Sequence, residues 1–319
     1  MNYVFFGSCI MEAGMQIGKV PANILKRSVT NMIGRGPGVG IDCGKVDLDG
    51  SGLLCSTEVG TYAVYKAANN IWASGGELLG VSAAFMMKAN AREIALKRLT
   101  ARIMDECRRC GTKLLGGHTE VTDRVTDNYV TVTAMGKGSG VDYSVRSISG
   151  DEDIVVTKWI GIESAALLLA DADARAQIDG RFSSEYIEPV LDASCWIPIE
   201  DEARIATGER DNVVAMHDIS DGGIFGALWE LCMGAGCGIE IELSAIPIRQ
   251  EISEIHTYFG IDIYRARSAG SLIIACRDGT KLCERLEGEG INASLIGHFT
   301  KNHDKIIHSH DEIRYLNEK

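Results

Sequence analysis

The chain has 319 residues, 45% of them hydrophobic and 24% charged, so it is long enough for two domains that each bury a core. Its formal net charge of −12 and its lack of a Lys/Arg block argue against a nucleic-acid binder. No run of about 18 apolar residues predicts a membrane span, and the ten cysteines are interpreted as reduced, which is typical of a cytoplasmic protein.

The first half of the sequence alternates predicted helices and strands. Residues 1–14 are interpreted as a candidate upstream extension, with Met15 as the alternative natural start. Apolar spacing predicts helices over 20–33, 62–74 and 92–110, and strands over 53–56, 77–88, 113–115 and 129–135. The excess of glycine, 36 residues against 5 prolines, predicts loops that wrap close to a ligand.

The second half repeats this mixture after a polar stretch over 136–150, so we place a domain boundary near Gly150. The two predicted domains are 15–150 and 151–319. Strands are predicted over 153–159, 213–216, 239–243, 271–276 and 293–297, and helices over 163–170, 185–197 and 224–235. Because both halves mix helices and strands, the fold class is α/β or α+β.

The first candidate site follows the short strand 113–115. Paired glycines, Gly116 and Gly117, allow a turn that presents backbone N–H groups to an anion. Thr119 adds a hydroxyl and Glu120 a carboxylate for a metal, and His118 is a candidate for orienting a substrate or moving a proton. The alternative is a tight turn at the end of a strand with a surface histidine.

Two further segments carry oxygen-rich side chains. Residues 36–42 form a glycine-rich run that ends in a carboxylate, but they match neither a P-loop nor a dinucleotide fingerprint, so a flexible linker is the alternative. Glu58 ends a predicted strand and Asn70 lies in the next helix, and such hard oxygen ligands suit Mg²⁺. A lone asparagine in a helix is more often structural.

The segment 217–223 joins an apolar strand to a helix through two acids and two glycines. Asp221 is a candidate helix N-cap, and the same helix start would suit a phosphate. Asp218 has no comparable local explanation, which favours a functional role.

Two other groups favour structural interpretations. Cys107 and Cys110 form a single CxxC on the apolar stripe of a helix, which predicts buried thiols and not a zinc or redox site. His303, His308 and His310 lack the spacing of a metal site and are interpreted as solvated.

Taken in order, these segments resemble the AIR synthase (PurM-like) superfamily, which includes the hydrogenase maturation protein HypE, thiamine-monophosphate kinase and selenophosphate synthetase. The resemblance is strongest to the HypE-like branch and covers residues 15–316. It rests on the segments 17–21, 36–42, 68–76, 116–121 and 217–223. Each segment is modest evidence alone, but the five occur in the order of the family.

The resemblance implies a two-domain PurM-like architecture. Its N-terminal α/β domain would dimerise through its strands into a shared barrel, so a homodimer is expected, and its C-terminal domain would be α+β. ATP would lie in a cleft with Mg²⁺ on its phosphates. The chemistry implied is phosphorylation of an amide-like or carbonyl oxygen on a small-molecule or protein-borne substrate. On this basis the assigned metal ligands are Asp42, Glu58, Asn70 and Glu120, the cofactor contacts are Gly38, Gly40, Gly116, Gly117, Thr119 and Asn69, and the catalytic residues are His118, Asp218 and Asp221.

The sequence departs from this family at three places. Glu58 and Asn70 stand where relatives commonly carry Asp, and the neutral Asn70 should weaken Mg²⁺ binding unless another group compensates. HypE ends in a cysteine that carries the group to be dehydrated. The last cysteine here is Cys283, so we expect that self-modifying reaction not to run in its usual way.

The leading hypothesis is therefore an ATP-dependent enzyme of AIR synthase or HypE type with an unidentified substrate. A small-molecule kinase like thiamine-monophosphate kinase is one alternative. A nucleotide-binding or maturation-scaffold protein without turnover is the other.

Overall fold

The structure, a computed structural model, describes residues 20, 22–32, 39–41, 43–48 and 51–317. The predictions for residues 1–14, Gly38 and Asp42 lie outside the described residues. Within that part of the chain, no helix is both long and apolar enough to cross a membrane.

The strands of the first half form one five-stranded sheet. They are β1 (Gly44–Leu48), β2 (Ser51–Val59), β3 (Gly76–Lys88), β4 (Leu114–Thr122) and β5 (Tyr129–Gly138). The strand order is β1-β2-β5-β3-β4, and each neighbouring pair is antiparallel except β3 and β4, which are parallel. The strands predicted over 53–56, 77–88 and 129–135 are confirmed.

The helices of the first half are α1 (Ala22–Leu25), which continues as a π-helical turn (Lys26–Thr30), α2 (Ala63–Ala73) and α3 (Glu93–Arg109). Of these, α2 and α3 pack on one face of the sheet. Every residue of α2 is buried, because the helix packs on the first sheet and also against the second half of the chain. The helices predicted over 62–74 and 92–110 are confirmed, whereas the described helix near 20–33 is shorter than predicted.

The opposite face of the first sheet, which we call the open face, is exposed in the single chain. Side chains alternate between the two faces of a strand, so odd-numbered residues of β2 and β5 point to it. Thr57 and Thr133 share a hydrogen bond of 2.9 Å across this face. Val59 and Tyr129 are exposed on it, which leaves apolar surface uncovered.

The second half forms a seven-stranded sheet with helices around it. Its strands are β6 (Asp153–Thr157), β7 (Val213–Asp218), β8 (Gly238–Glu242), β9 (Leu272–Cys276), β10 (Ala293–Thr300), β11 (Lys305–Ser309) and β12 (Glu312–Tyr315), and its helices are α4 (Ile162–Ala170), α5 (Ala172–Arg181), α6 (Ser184–Ile187), α7 (Glu200–Gly208), α8 (Gly223–Ala235), α9 (Gln250–Tyr258) and α10 (Gly279–Glu287). The order is β12-β11-β8-β10-β6-β9-β7. The mixed α/β and α+β class is confirmed.

The single helix predicted over 185–197 is wrong. The segment folds as the short α6 followed by 3-10 turns at Glu188–Val190 and Ala193–Trp196. Pro189 lacks an N–H group and restricts the residue before it, so an α-helix cannot run through this position.

The cysteines of the described part are free thiols. Cys107 and Cys110 are buried as predicted, and burial raises the pKa of the Cys107 thiol to about 11. A thiol with so high a pKa is a poor nucleophile and metal ligand. Among the described residues, no group of three His, Cys, Asp or Glu side chains could hold a metal ion, and His308 lies 3.5 Å from Glu240.

Candidate functional site

A cleft of about 230 Å³ lies where the first sheet meets the second half of the chain. Three residues predicted from separate motifs line it: Gly40, Asn70 at the end of α2 and Asp218 at the end of β7. The other lining residues include Lys45, Leu54, Ser74, Ser144, Arg146 and His217. The cleft is therefore built from both halves, and motifs far apart in sequence converge on it.

Gly40 is required by the way its segment packs on α8. Its φ of +75° lies in the left-handed region, and a Cβ there would lie 3.1 Å from the carbonyl oxygen of Glu230. A Cβ at Gly234 would lie 2.6 Å from the carbonyl oxygen of Val39. The two glycines thus let this segment lie directly against α8 at the edge of the cleft.

Asn70 is buried and belongs to a polar cluster beside the cleft, which we call the Glu58 cluster: Ser56, Glu58, Lys66, Asn70 and Glu163. Asn70 Nδ2 donates to Ser56 Oγ at 2.8 Å and to Glu58 Oε1 at 3.2 Å. Lys66 Nζ lies 3.7 Å from Glu58 Oε2 and 3.8 Å from Glu163 Oε1. Sequence reasoning found Glu58 and Asn70 but missed Lys66 and Glu163, because their pairing joins α2 to α4 across the two halves.

Glu163 is fully buried, and burial raises the pKa of its carboxyl group, opposed by Lys66. Its Oε2 accepts a hydrogen bond from Ala269 N at 3.4 Å. Asp221 also raises this pKa through its charge. The carboxylate of Asp221 itself lies 2.9 Å from Arg267 Nε.

Asp221 does not line the cleft, and it does not cap α8. The N-cap of α8 is Gly222, which has a left-handed conformation and makes no side-chain cap bond. The proposed N-cap role of Asp221 is therefore wrong, because the left-handed glycine starts the helix one residue later. The observed role of Asp221 is its ion pair with Arg267.

Asp218 and His217 are buried where β7 ends at the cleft. His217 Nε2 lies 3.6 Å from Glu230 Oε2 on α8. Both residues line the cleft, with an acidic neighbour beside the imidazole ring.

Two cations line the cleft and were not predicted. Lys45 on β1 and Arg146, in the segment before the second sheet, are exposed, and the structure gives neither an ion-pair partner among the described residues. Ser144 Oγ is buried there without a hydrogen-bond partner in the same part of the chain. Positive charge with unused donors suits an anion such as a phosphate. Sequence reasoning missed this segment because it interpreted the polar stretch over 136–150 only as a domain boundary.

Asn69, predicted as a cofactor contact, points away from the cleft. Its Nδ2 donates to the carbonyl oxygen of Ile197 at 2.9 Å, and its Oδ1 accepts from Ile199 N at 3.2 Å. The side chain is fully buried. Both ends of the amide are used to join α2 to the second half, which leaves no group for a cofactor and corrects that assignment.

The run 116–120 is not the phosphate-binding loop that was predicted. It lies inside β4, an exposed edge strand paired with β3. Gly117 is required by that pairing, because its φ is +153° and a Cβ would lie 1.7 Å from the carbonyl oxygen of Ala83. The backbone of this strand is extended in a ladder, and it does not curl around an anion as a turn would.

The side chains of β4 also do not converge on the cleft within one chain. Gly117 and Glu58 share one row across the sheet, three strands apart, which is about 14 Å at the usual strand spacing. His118 and Glu120, whose side chains lie 3.6 Å apart, project to the open face, whereas Glu58 and Thr119 project to the other. One chain thus does not assemble Glu58 and Glu120 into one metal site.

Two family models match this chain. The model of the AIR synthase related protein N-terminal domain matches residues 44–138, and that of the C-terminal domain matches residues 150–309. Among the similar proteins is carbamoyl dehydratase HypE of Rhodobacter capsulatus, which is 25% identical over 253 residues, covering 77% of this chain and 71% of that protein.

Solved structures with the same fold include two HypE proteins. One is in a HypE–HypF complex, with a TM-score of 0.73 and 18% identity over 92% of this chain and 99% of that chain. The other is HypE in complex with ATP, with a TM-score of 0.70 and 17% identity over 95% of this chain and 96% of that chain. At these identities the structural likeness shows the two-domain fold.

Proposed function

The chain belongs to the AIR synthase related family, and we propose that it is an ATP-dependent enzyme of the HypE type. It would phosphorylate an amide-like or carbonyl oxygen, which converts that oxygen into a good leaving group as phosphate. The substrate would be a small molecule or a group carried by a protein. Two similarities support this proposal: one relative is a carbamoyl dehydratase, and one protein of the same fold forms a complex with ATP.

The observation that carries the proposal is the pair of exposed cations that lines the cleft. Lys45 and Arg146 provide positive charge for phosphates in a chain whose net charge is −12. Ser144 offers a buried hydroxyl group. Phosphoryl transfer needs mainly positioning and neutralisation of charge, which these groups supply. Asp218, a buried residue of the same cleft, would orient the acceptor group of the substrate.

Magnesium belongs to the proposal as the ion that accompanies a triphosphate. Such an ion would supply charge neutralisation on the phosphates. The Glu58 cluster does not fit a magnesium ion, because the Lys66 ammonium group and the Asn70 amide nitrogen already face the Glu58 carboxylate. We therefore derive no step through a metal at this position.

We further propose a homodimer formed through the open face and β4, as a shared barrel. Val59, Leu115 and Tyr129 expose apolar surface there, and burial of such surface favours association. His118 and Glu120 face away from the cleft of their own chain, so a second copy is the route by which they would join a site. These assignments, the boundary near Gly150 and the cytoplasmic location remain predictions.

A protein partner is also part of the proposal, because a HypE of the same fold is found in complex with HypF. Such a partner would deliver the amide-like group to the cleft.

Product analysis tests the proposed function. The protein is incubated with ATP, Mg²⁺ and a panel of carbamoyl and carboxamide compounds, and the products are separated by mass spectrometry. ADP and phosphate with a dehydrated or rearranged compound are expected. A stable phosphorylated compound would instead identify a kinase, and nucleotide binding without turnover of any compound would identify a scaffold.

A further inference from the structure

The Glu58 cluster contains its own cation. Lys66 lies on α2 with its side chain only 3% exposed, and its ammonium group faces two carboxylates, Glu58 at 3.7 Å and Glu163 at 3.8 Å. One carboxylate comes from each half of the chain. We propose that Lys66 fills the electrostatic place of a divalent cation beside Glu58, so this position binds no metal.

The orientation of Asn70 supports this proposal. Its Nδ2, and not its Oδ1, faces Glu58, because the same nitrogen donates to both Ser56 Oγ and Glu58 Oε1. Amide orientation is assigned from such bonds, and the Glu58 carboxylate decides it here, because a carboxylate only accepts whereas a serine hydroxyl suits either orientation. A metal bound by Glu58 and Asn70 would need the amide oxygen, so the amide would have to flip and lose its bond to Glu58.

The position of the ammonium group argues in the same direction. The Glu58 carboxylate presents Oε1 to Asn70 and Oε2 to Lys66, so positive or donor groups face both oxygens. A metal ion on that carboxylate would lie within a few ångströms of the buried ammonium. Like charges at that distance in a partly desolvated site repel strongly, and Lys66 is too buried to swing into water.

The sequence also accounts for this arrangement. Asn70 carries no negative charge, so the cluster holds two carboxylates, Glu58 and Glu163, and not three. One lysine lies between them. The inference rests on the proposed function in one respect only: the proposed function identifies the ligand of the neighbouring cleft as ATP.

Mn²⁺ binding without nucleotide tests the inference, since carboxylate sites for Mg²⁺ also take Mn²⁺. Free Mn²⁺ is measured by electron paramagnetic resonance with the full-length wild type and with Glu58→Gln. The double variant Lys66→Met, Glu163→Gln removes the ammonium without leaving Glu163 as an unpaired buried charge. Glu163→Gln alone, and the double variant Lys97→Met, Glu93→Gln at an exposed lysine–glutamate pair on α3, are the controls.

The wild type and both controls should show Mn²⁺ binding that Glu58→Gln does not change. The Lys66→Met, Glu163→Gln variant should bind Mn²⁺ at least about tenfold more tightly than Glu163→Gln alone, from which it differs only by loss of the ammonium, and adding Glu58→Gln should abolish the gain. Wild-type binding that Glu58→Gln removes would overturn the inference, and so would a folded double variant without the gain. If that variant does not fold, the wild-type comparison decides alone. ATP binding is measured in a separate titration with EDTA present. Absence of ATP binding there would count against the proposed function and not against this inference.

Discussion

The buried carboxyl group of Glu106 contacts the start of α2, the helix that carries Asn70, and its ionisation should affect the stability of the protein. Glu106 is buried on α3, and its Oε2 accepts a hydrogen bond from Val64 N at 3.2 Å in the first turn of α2. Arg102 Nε lies 3.7 Å from its other oxygen. Burial, only partly opposed by Arg102 and by the bond from Val64, raises the pKa of Glu106 to about 7.

The raised pKa sets the direction of the pH dependence. The folded protein holds this proton more tightly than the unfolded chain, whose glutamate pKa is near 4.5. Between these two values the folded state binds more protons, so the free energy of unfolding falls as the pH rises from about 4.5 to about 7 and is constant above. The difference between the two pKa values corresponds to a loss of about 3 kcal/mol.

The variant Glu106→Gln keeps an acceptor for Val64 N and removes the ionisation. It should be more stable than the wild type by up to about 3 kcal/mol at pH 8, and the difference should vanish near pH 4.5. Urea unfolding from pH 4.5 to 8.5 measures it, with the exposed Glu93→Gln on the same helix as control. A difference that does not change with pH, or a wild type that is more stable at pH 8, would refute the reasoning.

Two other substitutions separate structural from ligand-binding roles. Gly117→Ala should destabilise the protein by about 2 kcal/mol or more beyond Gly116→Ala, because the two glycines have similar φ angles but a Cβ meets other atoms only at Gly117. Thermal unfolding of both variants measures this, and equal losses would contradict the contact. Asn69→Ala leaves two buried backbone groups unpaired and should cost about 2–5 kcal/mol in urea unfolding. Its ATP affinity, measured by calorimetry under native conditions, should equal that of the wild type, and a selective loss of affinity would restore the cofactor role.

Local patterns predicted most of the elements near the cleft. The apolar spacing of α2 and α3 and the alternation in β5 are properties of short stretches, so the sequence alone was sufficient for them. Asp218 was recognised because its position at the end of an apolar strand had no local structural explanation. It does line the cleft.

Long-range contacts decided what the sequence did not predict. A pair of glycines after a short apolar run fits either a turn or an edge strand, and only the pairing with β3 makes 116–120 a strand. Asn69 and Asn70 are neighbours on α2 but project about 100° apart. Only the docking of the segment 197–199 makes the first structural and leaves the second at the cleft.

The claim that the cleft binds the phosphates of ATP is tested most directly by calorimetric titration of ATP into three proteins. They are the wild type, Arg146→Met and, as a matched control, Arg181→Met at the exposed end of α5. Loss of a charge-assisted contact to phosphate should weaken binding about tenfold or more for Arg146→Met, while the control binds like the wild type. Equal affinities in all three proteins, or no binding to any of them, would contradict the account.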